Sequence, residues 1–270
     1  MQQAKEKTKE IANELVRSHT DNPNTNVYHI SYAPATKEAS LFFWGCNFSC
    51  RGCLCKKEIH NFLLKENLYL PFEEPKGLAK PPDRFLDLKE VIRTLDELDV
   101  RLVLLEGQEA SLDPSYPALT EALHKRLGSR NILCSNIYKT PSLKDTDAVA
   151  VSIKAFTDRL HQHYTGKSNK RVLDNFVSLY KSGIKLSVAS VFIPDYINNN
   201  EIELIARFIA CVDKDIPFQI LPYFKAGDNP WRHPIPEEMD EAARVARKHL
   251  NKVYSWNGNE KMDYEVVKIL

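Results

Sequence analysis

With 270 residues, 43% of them hydrophobic, the chain is long enough for one large α/β domain or two small ones, either with a substantial core. Its 37 Lys and Arg against 36 Asp and Glu leave a net charge of +1, so nothing favours a polyanion and no nucleic-acid partner is indicated. No run approaches the ~18 apolar residues of a membrane span, and the charged start from Lys5 to Glu10 lacks the apolar core of a signal peptide, so the chain reads as cytoplasmic, with no membrane role.

Taken in order, residues 4 to 18 carry Ile11, Leu15 and Val16 among charged neighbours, which predicts a short amphipathic helix. A polar loop follows, then a short strand over Val27 to Tyr32. Further strands are predicted at Ser40 to Trp44, Arg101 to Leu105, Asn131 to Cys134, Ala148 to Ile153, Lys185 to Ile193 and Phe218 to Leu221. Helices are predicted at Asp87 to Leu98, Ser115 to Leu127, Ser168 to Ser182, Asn200 to Val212 and Pro236 to Leu250. Strand followed by helix, with one helical turn after the cysteine-rich loop, demands parallel strands with right-handed crossovers. This pattern predicts an α/β partial (β/α)6 barrel over residues 29–250, preceded by an N-terminal helical extension (1–28) and followed by a C-terminal tail (251–270); an open doubly wound sheet shares the same alternation. Residues 63 to 85, with Pro71, Pro75, Pro81 and Pro82, form an irregular excursion that reads equally as a lid, a partner-docking loop or a passive insertion.

Four of the six cysteines crowd between 46 and 55, while Cys134 and Cys211 stand alone, a pattern of a metal site in a reducing compartment and not of a disulfide framework. Cys46, Cys50 and Cys53 follow the apolar run from Leu41 to Trp44 with the spacing C-x3-C-x2-C. A structural zinc or a simple electron-transfer cluster normally takes four protein ligands, so three point to a [4Fe-4S] cubane with one iron open. The competing reading makes Cys55 a fourth ligand of a non-catalytic zinc or iron-sulfur module, although C-x3-C-x2-C-x-C is awkward for one tetrahedral ion.

This motif resembles that of the radical S-adenosylmethionine (SAM) superfamily. The resemblance implies that the open iron chelates SAM through its amino and carboxylate groups, and that reduction of the cluster by a low-potential donor, of flavodoxin or ferredoxin type, yields a 5′-deoxyadenosyl radical that abstracts hydrogen from a substrate. The residue before the third cysteine is usually aromatic in the family, whereas here it is Gly52.

Strand-end residues extend the likeness, because loops at the carboxyl ends of parallel barrel strands build the site. Glu106-Gly107-Gln108-Glu109 resembles the family's Gly-Gly-Glu, which implies that Gly107 and Glu109 hold the methionyl ammonium; Gln108 stands where the second glycine would. Ser135-Asn136 resembles the Thr-Asn of glycyl-radical-enzyme activases, near SAM ribose or carboxylate, and Val151-Ser152-Ile153-Lys154 resembles the Asp-x-Lys of pyruvate formate-lyase activating enzymes, with Lys154 matching and Ser152 replacing the aspartate. The segment from His161 to Arg171, Pro194, and Leu221-Pro222-Tyr223 with Gly227 and Trp231 continue the resemblance to about residue 250.

Departures concern the substrate side. The residues aligned with the activases' cation ligands are Cys134, Ser152 and Phe224, and neither serine nor phenylalanine replaces a carboxylate toward a hard cation. The Asp-Gly-Pro-Gly run of the activators is replaced by the stretch from His29 to Ala35. Substrate, protein or small molecule, is therefore left open. Cys134, at the end of its strand, is a candidate hydrogen-atom donor or a small buried apolar residue, and Tyr116, Tyr164 and Tyr223 read as relay candidates or core.

The two metal readings separate on one substitution. Cys55→Ser leaves the iron content and visible absorption of the anaerobically reconstituted protein intact if three thiolates suffice, and damages both if Cys55 is a ligand.

Overall fold

In the computed structural model, described for residues 22–56, 61, 63–64, 67, 79–226, 228–261 and 263–270, the apolar runs become strands of one sheet. They are β1 (Val27–Ala33), β2 (Glu38–Phe43), β3 (Leu102–Gly107), β4 (Arg130–Ser135), β5 (Ala148–Ser152), β6 (Lys185–Phe192), β7 (Phe218–Pro222), β8 (Val253–Ser255) and β9 (Val267–Lys268). The helices are α1 (Leu88–Asp96), α2 (Tyr116–Leu127), α3 (Asp158–Thr165), α4 (Lys170–Lys181), α5 (Asn199–Val212) and α6 (Pro236–Ala246). The helix predicted at residues 4 to 18, and most of the 63–85 excursion, lie outside the described residues.

The sheet runs β8-β7-β6-β5-β4-β3-β2-β1-β9. From β2 to β8 every neighbouring pair is parallel, and β1 pairs antiparallel with both β2 and β9. Parallel strands in simple sequence order, with β8 and β9 at opposite ends of the sheet and unpaired with each other among the described residues, make an α/β partial barrel that does not close. The doubly wound alternative is excluded, since such a sheet reverses its strand order at a switch point. The parallel set has seven members where six were expected, because β8 comes from residues 251–270, which also supply β9, antiparallel to β1. One detail differs from the sequence expectation: an additional short helix, α3, precedes α4 and ends at Gly166 in the left-handed conformation (φ 79°). The link from β4 to β5 contains no helix, and none was predicted there.

Alternation along the strands separates two faces. Val103, Leu105, Leu133, Val149, Val151, Val188 and Ile220 are buried in one continuous core with Leu95, Leu119, Phe176, Ile205 and Met239 of the helices. Each fully buried aliphatic side chain contributes about 1.5–3 kcal/mol, so this outer layer holds the sheet. The opposite, concave face carries half-buried residues, small on β5 and β6 (Ala150, Ser152, Ser187 and Ala189) beside Cys134, and larger on β3 and β4 (Leu104, Glu106 and Ile132).

Among the described residues no helix is long and apolar enough to cross a membrane.

The entry of α1, which returns the chain to β3, depends on a reciprocal cap. The Asp87 carboxylate accepts from Glu90 N at 2.8 Å, and the Glu90 carboxylate accepts from Asp87 N at 3.0 Å. Asp87→Ala is expected to destabilise the apoprotein by about 1 kcal/mol, read as a lower urea midpoint with an unchanged slope.

Candidate active site

The carboxyl ends of β2, β3, β4 and β5 bring the cysteine loop and the strand-end polar residues to one edge of the sheet. Phe43 is in register with Gly107, so the cysteine loop leaves β2 directly beside the turn after β3. Gly107 has φ +92°, and a Cβ there would stand 2.8 Å from Phe43 N and 3.0 Å from Phe43 O. Only glycine fits this approach. Gln108 needs no such freedom: its φ is not positive. Its side chain is a strut, accepting from Gly45 N at 3.1 Å and donating from Nε2 to Cys55 O at 3.4 Å.

Glu109 is 2% exposed. Its Oε1 accepts from Ser111 Oγ at 2.5 Å and Ser135 Oγ at 2.6 Å, and its Oε2 from Asn136 N at 2.9 Å. Burial pushes its pKa up while these donors pull it back. Among the described residues no cation pairs with it. Asn136 carries the network onward, donating from Nδ2 to Asn47 Oδ1 at 2.8 Å and to Cys46 Sγ at 3.7 Å. The next residue, Ile137, has φ +47°, strained for a β-branched side chain, and is held there by its N–H to Ser135 Oγ (2.8 Å) and by Asn175 Nδ2 on its carbonyl (2.6 Å).

Cys46, Cys50 and Cys53 are free thiols, partly shielded from solvent. Phe48 N donates to Cys46 Sγ at 3.3 Å, and the Lys56 ammonium donates to Phe48 O. The loop is tied to the end of α3 by Ser49 N to Thr165 O (2.8 Å), Arg51 N to Tyr164 O (3.0 Å) and Arg51 Nε to His163 O (2.9 Å). Burial pushes the Cys50 thiol up to about 12, opposed by the Lys154 and Lys56 charges. Cys53 is held below an ordinary thiol by its hydrogen bond with Cys55, aided by Lys154 and Lys56, while Cys55 is pushed up as its partner.

The structure therefore gathers Cys46, Cys50, Cys53, Gly107, Gln108, Glu109, Ser135, Asn136 and Lys154 at one edge. Cys134 and Ser152 lie on the concave face beside it, where burial keeps Cys134 a neutral thiol. Sequence reasoning missed Lys56, Asn47 and Ser111. Lys56, three residues after Cys53, carried a signal in its proximity to the motif; Asn47 and Ser111 become recognisable only through their partners in space.

The radical SAM superfamily model matches residues 41–209 of this chain. The chain belongs to the radical SAM superfamily. A protein of Methanocaldococcus jannaschii, provisionally named a glycyl-radical enzyme activating enzyme, is 26% identical over 233 residues, 83% of this chain and 82% of that protein. The pyruvate formate-lyase-activating enzyme of Staphylococcus aureus is 26% identical over 117 residues, covering 40% of this chain and 47% of that enzyme. Among solved structures, QueE from Escherichia coli superposes with a TM-score of 0.52 at 14% identity, covering 86% of this chain and 94% of that one. Streptococcus suis SuiB bound to S-adenosylmethionine superposes with a TM-score of 0.54 at 13% identity, covering 81% of this chain and 46% of that one. These superpositions show the partial-barrel fold.

The cofactors of this radical SAM chain are a [4Fe-4S] cluster and SAM, and the site fits both. Three free thiols share one loop with two ammonium groups beside them, and a cubane spreads its thiolates over separate irons. Among the described residues no three His, Cys, Asp or Glu side chains are grouped to ligate a single metal ion. Glu109, buried and hydrogen-bonded but without a cation, suits the ammonium of a ligand.

Gly107→Ala forces a Cβ into the β2 backbone at positive φ and is expected to lower apoprotein stability by about 1–3 kcal/mol, measured by urea unfolding. Gln108→Gly, which removes only the strut, is expected to cost less.

Proposed function

We propose that Cys46, Cys50 and Cys53 ligate three irons of the cluster, that Gly107 and Glu109 hold the SAM ammonium, and that Lys154 pairs with its carboxylate, with Ser135 and Asn136 fixing Glu109. The observation that carries this reading is the buried Glu109 carboxylate, linked through Asn136 to Cys46: one network joins the amino-acid pocket to the motif. When bound, the two cofactors supply reductive cleavage of SAM to a 5′-deoxyadenosyl radical, able to abstract hydrogen from a substrate. The chain's own residues orient and neutralise. Gly107 lets backbone approach the ligand, Glu109 supplies the buried negative charge, and Lys154 offsets the negative charge of ligand carboxylate and thiolates together. The electron comes from a low-potential donor of flavodoxin or ferredoxin type, in the cytoplasm.

For the substrate, we favour a glycine of a partner protein, as in glycyl-radical-enzyme activation. Support comes from the likeness to the M. jannaschii protein, which spans 83% of this chain. A small-molecule substrate is the second reading, favoured by the small, half-buried side chains of Cys134, Ala150, Ser187 and Ala189 on the concave face. Cys134 on that face is then the candidate hydrogen-atom donor.

Anaerobically reconstituted, dithionite-reduced protein is expected to release 5′-deoxyadenosine from SAM. Cys46→Ala should lose the cluster and this activity together, whereas Glu109→Gln should keep the iron and weaken SAM binding at least tenfold. A loaded, reduced wild type that leaves SAM intact refutes the reading. A glycyl-radical electron paramagnetic resonance signal on a candidate partner protein separates the two substrate readings.

A further inference from the structure

Lys154 lies two residues beyond β5, between Ile153 and Ala155, both fully buried. The backbone around it is pinned on both sides. Upstream, Ile153 N donates to Ala189 O of β6 at 3.1 Å. Downstream, the Glu201 carboxylate of α5 accepts from Phe156 N and Thr157 N at 2.5 Å each and from the Thr157 hydroxyl at 2.8 Å. Asn169 Nδ2 closes the carbonyl side, donating to Ala155 O at 3.3 Å and to Phe156 O. Glu201, 5% exposed, is the third residue of α5. A glutamate at that place ordinarily accepts from the N-cap backbone of its own helix, but here Asn198 caps α5 with its side chain and the Glu201 carboxylate is turned to the loop after Lys154. Thr157, the N-cap of α3, makes no side-chain cap bond in that helix; its hydroxyl goes to Glu201. The other end of α3 holds the cysteine loop, through Ser49 N to Thr165 O and Arg51 N to Tyr164 O.

We propose that Glu201 is a positioning residue for SAM: its carboxylate, which touches neither cofactor, fixes the backbone between Lys154 and α3 and so sets the Lys154 ammonium against the cysteine loop. A lysine reaches its partner through a flexible stem, so the placement of its charge is set by the backbone that carries the stem. Glu201 joins the two parts that must agree, the residue that pairs with the ligand carboxylate and the helix that holds the motif. Glutamine in its place keeps the size but turns one acceptor oxygen into a donor, which then faces either the two N–H groups or the Thr157 hydroxyl, and a buried donor left facing a donor is costly.

The inference rests on the pairing of Lys154 with the SAM carboxylate given above, and the test separates the two. Anaerobically reconstituted, unreduced protein of measured iron content is titrated with SAM and with decarboxylated SAM, which keeps the ammonium and lacks the carboxylate. Lys154→Met should weaken SAM about tenfold and leave decarboxylated SAM nearly unaffected; wild-type affinity in this variant refutes the Lys154 assignment, and the proposal with it. Glu201→Gln should load iron as the wild type does, weaken SAM about fivefold and decarboxylated SAM by less than about twofold, and add nothing to Lys154→Met in the double variant. A loaded Glu201→Gln protein that binds SAM normally or loses both ligands equally overturns the proposal, as does a double variant in which the two losses multiply. If Glu201→Gln does not load, Thr157→Val, which removes only the hydroxyl donor, should weaken SAM selectively, and an unchanged preference for SAM over decarboxylated SAM overturns it.

Discussion

Glu109 imposes the constraint on which the site depends. A buried carboxylate is costly unless several donors satisfy it, and those donors come from Ser111 in its own loop and from Ser135 and Asn136 after the next strand. Meeting that requirement fixes the β3 and β4 loops at the same height. Asn136, once fixed, reaches Asn47 and Cys46, so the order propagates into the cysteine loop.

A second tether holds the far side of that loop. Ser49 and Arg51 bond to the last residues of α3, a helix ended by Gly166 at positive φ. The motif is thus clamped between β4 and α3, and its thiols lie under the Lys56 and Lys154 charges. Two cations near three thiolates lower the cost of collecting that much negative charge in a partly buried place.

Two departures from the family pattern have a local physical account. Gln108, in place of a glycine, keeps an ordinary φ and braces Gly45 against Cys55. Phe224, in place of a cation ligand, is 7% exposed, stacks near His233 with centroids 5.0 Å apart, and packs so closely on Gly258 that a Cβ there would lie 2.4 Å from its ring. Phe224 thus packs where a polar cation ligand would stand, while Gln108 braces backbone where a glycine would stand.

Local pattern in the sequence was enough to establish the parallel α/β order, most element boundaries to within one or two residues, and the three-cysteine motif; the strand-end residues were named through the family resemblance. Periodicity and ligand spacing are short-range properties, written in neighbouring residues. The tertiary structure decided the rest: the pairing of β8 and β9 into the sheet, the extra helix α3, Gln108 as a strut, and the tyrosines above Gly52. The β1–β9 pairing, the Gln108 strut and the tyrosines above Gly52 depend on residues more than 50 positions apart meeting in space, such as Gly52 with Tyr164 and Tyr223 or β1 with β9. Such long-range complementarity leaves no periodic trace in a single chain, because the packing partner, and not the neighbouring residues, sets what fits.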